Sequence, residues 1–184
     1  MKERYYSLDV FRGATVALMI LVNNPGNWGH IYPPLEHAAW HGITPTDLVF
    51  PFFLFAVGNA MAFVMPSLRS KGAGNFWKKI IKRTVVIFCI GFLLNWIPFV
   101  HYDENNQLLF QPFSQVRIFG VLQRIALCYF FASIIIYYLK IRGAFVVSAF
   151  ILLVYWYICI AGNPADPFSL NGWFGTNIDK MIIG

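Results

Sequence analysis

The chain has 184 residues, 58% of them hydrophobic and only 12% charged, with a formal net charge of +6. A soluble domain of this size carries about twice that charged fraction and needs polar surface to cover its core, so lipid is expected to replace water around much of this one. The basic excess does not point to nucleic acid, because the basic residues lie between apolar runs rather than on one soluble face.

A hydrocarbon core is crossed by about 20 apolar helical residues. Leu8 to Val22 is the first candidate span and the weakest, with Asp9 and Arg12 inside it. A signal peptide is set aside, because Asn23-Asn24-Pro25-Gly26 has no small-x-small cleavage pattern and Asp9 is foreign to an n-region. A polar loop follows, Asn23 to Asp47. The second span is Leu48 to Met65, ended by Pro66, and the third is Thr84 to Val100, preceded by a basic loop. Phe119 to Leu139 is the fourth, broken only by Gln123 and Arg124, and Ala144 to Ala161 is the fifth. Cys89, Cys128 and Cys159 lie within apolar runs and read as small hydrophobes rather than a disulfide or metal framework. The fold class is all-α, a polytopic transmembrane helix bundle of about five spans. No internal repeat or soluble linker divides it. Residues 1–184 are expected to form the N-terminal part of a single transmembrane domain truncated at its C-terminus, since no closing span follows Asn163-Pro164-Ala165-Asp166-Pro167.

Orientation follows from Lys and Arg alone. Lys2 and Arg4, then Arg69, Lys71, Lys78, Lys79, Lys82 and Arg83, then Lys140 and Arg142 fall on one side. The alternate loops hold only Arg117. The N-terminus is therefore expected to be cytoplasmic, and His30, His37, His41 and His101 all fall outside.

Ionisable groups at membrane depth mark function by default. Asp9 and Arg12, three apart on a helix, share a face, as a structural ion pair or as part of a cytoplasmic-side ligand site. Asp47 and Arg124 lie at matching depths near the outer side, as a mutual salt bridge or as part of a substrate site. Asn59 and Asn95 read as helix-to-helix hydrogen-bond partners. The densest polar segment is the first outer loop, with Asn23, Asn24, Asn27, His30, Glu36, His37, His41 and Asp47 beside Trp28, Tyr32 and Trp40. Its aromatics also suit an interfacial belt. His37 and His41 are four apart, which suits a metal only on a helix. With no HExxH and no clustered cysteine, no metal is expected. Imidazole at such a surface suits general-base or acyl-carrier chemistry.

Five stretches carry a resemblance. They are Ser7-Leu8-Asp9-Val10-Phe11-Arg12-Gly13, Leu21-Val22-Asn23-Asn24, His37-Ala38-Ala39-Trp40-His41-Gly42, Thr46-Asp47-Leu48-Val49-Phe50-Pro51 and Gly120-Val121-Leu122-Gln123-Arg124-Ile125. In this order the chain resembles the bacterial relatives of the lysosomal heparan-α-glucosaminide N-acetyltransferase family, while Ala144 to Gly184 matches loosely. The resemblance implies a polytopic transferase that takes acetyl from cytoplasmic acetyl-CoA and passes it to an amino sugar on the far side. It places His37 at the catalytic histidine and Asn23 at a neighbouring active-site asparagine. His41 departs from the Asn of the lysosomal enzymes.

The combined reading is a transmembrane acyltransferase, N- or O-directed, of the bacterial inner membrane. His37 is the general base or a transient acyl carrier, and Asn23 supports the oxyanion. Trp40, His41, Asp47 and Arg124 serve the saccharide. Arg12, Lys78, Lys79, Lys82 and Arg83 serve acetyl-CoA, a co-substrate rather than a tightly bound cofactor. The partners are the bilayer, acetyl-CoA and a saccharide acceptor, without nucleic acid and with homo-oligomerisation left open. The rival is a sugar transporter or permease, for which buried Asp9, Arg12, Asp47 and Arg124 would line the path.

Overall fold

The computed structural model describes residues 5–102, 107–113, 116, 118–176 and 178; Lys2, Arg4 and Arg117, used above for orientation, lie outside them. Four helices carry the fold: α1 (Tyr6–Val22), α2 (Val49–Ser70), α3 (Ala73–Trp96) and α4 (Val121–Gly162). A 3-10 turn at Pro33–Leu35 lies between α1 and α2. Between α3 and α4 the chain forms a small antiparallel hairpin, β1 (Val100–Tyr102) with β2 (Leu108–Phe110), pairing Val100 with Phe110. Apart from that hairpin of two three-residue strands, the regular structure of the described residues is helical, in keeping with the all-α expectation.

α4 is 42 residues long but breaks at Lys140, where φ is 58° and ψ −169°. This region of backbone space favours glycine, so the turn is strained. Gly143 makes the turn geometrically feasible, because a Cβ there would come 2.4 Å from the Leu139 Cβ. An unbroken helix of this length would run about 63 Å, twice the roughly 30 Å of a hydrocarbon core. The contacts show instead that the chain doubles back. At one end, an Arg69 guanidinium N–H at the close of α2 donates to the Ile136 carbonyl, and the Phe76 ring near the start of α3 stacks on Tyr137 at 3.9 Å. At the other end, Gly91 of α3 lies against Leu122. The first leg of α4, 121–139, is therefore antiparallel to α3. The second leg, 141–162, returns to the end that holds the α1–α2 loop, because Trp40 of that loop bonds the carbonyl of Phe168.

α2 and α4 are long and apolar enough to cross a membrane. Neither resembles the core helix of a water-soluble domain, because their apolar side chains lie mostly on the outside. Phe145 is 74% exposed, Phe150 65% and Tyr157 69%. The buried core is small: Met61, Met65 and Leu68 of α2, Phe76 and Ile80 of α3, and Tyr129 of α4.

Two helix boundaries correct the sequence reading. α2 runs through Pro66 to Ser70, because a helix packed among neighbours tolerates a proline that frees one carbonyl. α3 starts at Ala73, well before Thr84, so Lys78, Lys79, Lys82 and Arg83 stand on a helix and not in a loop. Only Lys71 and Gly72 connect α2 to α3, with Gly72 at φ +83°.

Small residues let two helices approach and pack closely. Gly91 is such a contact: a Cβ there would stand 2.7 Å from the Leu122 Cβ, an atom fixed to the backbone. Gly91→Ala is expected to lower stability in detergent by about 1–3 kcal/mol, the usual cost of overpacking. Gly58→Ala, which meets nothing within 4 Å, should leave the unfolding midpoint unchanged or slightly raised.

Candidate active site

The loop between α1 and α2 is built by its own polar side chains. Asn24 Nδ2 donates to the Ile20 carbonyl at 2.7 Å, and Gly29 N–H donates to Asn27 Oδ1 at 2.8 Å. Pro33 and Pro34 set the 3-10 turn, whose last carbonyl, Leu35, accepts from the buried Thr46 hydroxyl at 2.7 Å. Gly42 takes φ +114° to let the chain turn back toward α2.

Asp47 closes this loop. One carboxylate oxygen lies 2.6 Å from His37 Nδ1. The other accepts from Thr44 N–H at 3.0 Å, the Thr44 hydroxyl at 2.9 Å and Ala38 N–H at 3.3 Å. The His37 ring beside it, then the Thr44 amide and hydroxyl and the Ala38 amide, hold the Asp47 carboxyl well below the usual carboxylate range, against a smaller opposing effect of desolvation. An ionised carboxylate only accepts, so His37 Nδ1 carries the proton. In the neutral ring Nε2 is then the free acceptor, on a side chain that is 75% exposed. A base held by a carboxylate with its second nitrogen turned to solvent is the arrangement of a general base.

This pairing replaces the expected Asp47–Arg124 salt bridge. Arg124 is exposed on α4 and makes no ion pair with any described residue. The physical reason is proximity: the loop returns His37 to Asp47 before α4 is reached. His41 is exposed in an irregular stretch, so it and His37 do not stand one turn apart on a helix. Asn23 is the C-cap residue of α1, its backbone N–H bonded to Met19, and no hydrogen bond joins its side chain to His37. Trp40 is half-exposed; its indole N–H donates to the Phe168 carbonyl at 2.7 Å, and its ring lies 6.2 Å from that of Trp173. Phe168 and Trp173 were missed from the sequence, because no local signal ties a loop to residues more than a hundred positions away.

The residues assigned to acetyl-CoA fall into two adjoining cavities, one running along α2 and the other at the end where α2 meets α3. Arg12 of α1 and Arg83 of α3 line one of about 150 Å³, otherwise walled by Val16, apolar α2 side chains and Tyr129. The Arg83 guanidinium lies 5.1 Å from the centre of the Tyr129 ring. Lys71, Lys78, Lys79 and Lys82 line the second, of about 600 Å³, with Ser67 and Asn75. Val64 and Leu68 border both. Asn59 bonds the Phe55 carbonyl of its own helix rather than a neighbouring one.

Comparison with known proteins gives a consistent result. The profile of a family described as heparan-alpha-glucosaminide N-acetyltransferase, catalytic, matches residues 4–180. The human heparan-alpha-glucosaminide N-acetyltransferase is 35% identical over 137 residues, 73% of this chain and 19% of the human protein. The mouse protein of the same name is 33% identical over 135 residues, 72% of this chain and 19% of its own length. The chain thus spans about a fifth of the length of these relatives. Neither relative lends support to the permease reading.

Proposed function

The chain belongs to the heparan-alpha-glucosaminide N-acetyltransferase catalytic family, and on that premise we infer that it forms part of a transmembrane acyltransferase domain that moves acetyl from cytoplasmic acetyl-CoA to a saccharide on the outer side. The observation that carries the reading is the His37–Asp47 pair at 2.6 Å. It sits in the α1–α2 loop, while the lysine-lined cavity lies at the opposite end of α2.

The chemistry divides between these ends. At the inner end, Lys71, Lys78, Lys79 and Lys82 attract the phosphates of the donor, and Arg12 and Arg83 extend the positive lining inward. At the outer end, His37 Nε2 takes the proton from the acceptor amine or hydroxyl as that atom attacks the thioester carbonyl. The carbon–sulfur bond breaks and the CoA thiolate leaves. Asp47 holds Nδ1–H and balances the positive charge that develops on the ring. Asn23 donates to the developing oxyanion, and Trp40 and His41 meet the acceptor, with Arg124 further along α4.

The helix arrangement supports five crossings with the N-terminus inside: α1, α2, α3 and the two legs of α4. Each leg is close to the roughly 20 residues a bilayer needs, and bacterial inner-membrane placement fits the basic inner end. Cysteines at positions 29 and 71 test this. A membrane-impermeant thiol reagent added outside is expected to label position 29 and spare 71; the reverse pattern overturns the orientation.

The activity is tested with radiolabelled acetyl-CoA and a panel of amino sugars on the full-length protein. Label transfer to a saccharide supports the enzyme, and sugar flux without CoA dependence overturns it. Replacing Lys78, Lys79 and Lys82 by Gln should raise the acetyl-CoA KM at least about threefold, the scale of several exposed charge contacts, with the acceptor KM unmoved. An unchanged donor KM would leave these lysines only a role in anchoring the helix.

A further inference from the structure

Residues 163–176, which follow α4, are folded by their own hydrogen bonds. Trp173 N–H of the backbone donates to Ser169 at 3.0 Å, and the Thr176 hydroxyl donates to the Leu170 carbonyl at 3.0 Å. This folded segment presents Trp173 to Trp40 of the His37 loop, ring centres 6.2 Å apart at an interplanar angle of 54°. Each indole is tethered through its polar edge. Trp40 Nε1–H donates to the Phe168 carbonyl at 2.7 Å, and Trp173 Nε1–H donates to the Tyr155 hydroxyl at 3.0 Å.

An interfacial aromatic belt predicts something different. Belt residues keep an apolar ring in the membrane and a polar edge in water. Trp28 and Tyr32 of the same loop fit that description: both are 70% exposed, and neither makes a side-chain hydrogen bond or ring contact with a described residue. Trp40 and Trp173 spend their N–H groups inside the protein, which fixes both rings and leaves only their carbon faces and edges for a ligand. A rigid aromatic pair loses little freedom on binding, which is the advantage of a preorganised site. The ligand such a surface takes has an apolar face and polar rims. A pyranose ring qualifies, because its axial C–H bonds form one electron-poor face that stacks on the electron-rich face of an indole. Trp40 is three residues from His37, so their Cα atoms stand no more than about 11 Å apart, within the span of one sugar ring and its substituents.

We propose that Trp173 and Trp40 form the acceptor shelf, with Trp173 as a saccharide-positioning residue supplied by the segment after α4. The proposal rests on the transferase reading for its chemistry, but the binding it describes can be measured alone.

Saturation-transfer NMR on the full-length protein, with methyl glucosaminide as the probe, is expected to show transfer to the ring C–H protons. Trp173→Ala should raise the acceptor KM about tenfold, the loss of one stacked aromatic contact, while the acetyl-CoA KM stays within about twofold. Trp173→Phe should recover most of the loss. Tyr155→Phe removes the tether, together with the hydroxyl's contact to Cys159, and should raise the acceptor KM to a smaller extent. If Trp173→Ala does not fold, Trp173→Leu, which removes the aromatic face but keeps an apolar side chain, decides by the same split. An acceptor KM unmoved across the folded variants, or no saturation transfer from the wild-type protein, overturns the shelf. Saturation transfer lost in Trp173→Ala, from a protein that moves no acetyl group, keeps the shelf and overturns the transferase reading instead.

Discussion

His37→Ala in the full-length protein is expected to reduce acetyl transfer by about a hundredfold or more, the usual loss on removing a general base. That corresponds to a barrier increase of about 3 kcal/mol or more. The loss should fall on kcat rather than on either KM, because the imidazole acts on a proton in flight and not on the bound ground state. Yield and detergent stability should stay near wild type. The His37 side chain is 75% exposed and its single side-chain partner among the described residues is Asp47, which keeps Thr44 and Ala38 when the ring is gone. His30→Ala and His41→Ala are the controls. Neither imidazole has a side-chain hydrogen bond to a described residue, so smaller losses are expected from both. A His37→Ala protein that keeps most of its transferase activity removes the histidine from the chemistry.

Much of the helical framework was legible in the sequence because long apolar runs mark helices of this kind by themselves. The legs on either side of Lys140 and the α1 helix fall within a few residues of the runs read from hydropathy. Hydropathy fails where a helix continues beyond its apolar part. The polar first turns of α3 carry Asn75, Lys78, Lys79 and Lys82 and look like a loop, yet their backbone is helical. The site was legible only residue by residue. His37 stood out by chemistry and crowding, and Asp47 as an ionisable group near membrane depth. Their union was not readable, because matching depth along two helices suggested Arg124 as the partner. A loop stapled by Pro33, Pro34 and Thr46 chose His37 instead. The lysine-lined cavity was anticipated as a cluster of charges. Its shared wall with the Arg12–Arg83 cavity is a product of helix packing that no spacing in one chain encodes.

Asp47→Asn separates orientation of the base from the structure of the loop. The carboxamide keeps one oxygen to accept from Thr44 and Ala38, so the loop should survive. Its NH2 group, however, is a donor, and turned toward His37 Nδ1 it stabilises the tautomer with the proton on Nε2. The lone pair needed for the acceptor then points inward. In a serine protease triad the same change costs about 10⁴-fold in kcat. Here the ring is open to water and can turn, so a loss of about a hundredfold is expected, again on kcat and no greater than that of His37→Ala. The double variant should be no worse than His37→Ala alone, since Asp47 acts through the ring and groups that work as a unit are not additive. Losses that multiply in the double variant would mean that Asp47 serves the substrate directly. Acid gives an independent handle. The Asp47 pKa is depressed in the folded loop, so its contribution to stability is complete above the unfolded value near 4 and is lost progressively as pH falls from there to the lower folded one. Protection of the Ala38 and Thr44 amides against hydrogen exchange, corrected for intrinsic rate, should therefore weaken in the wild type as pH falls below about 4. In Asp47→Asn it should be weaker and no longer pH-dependent across that range.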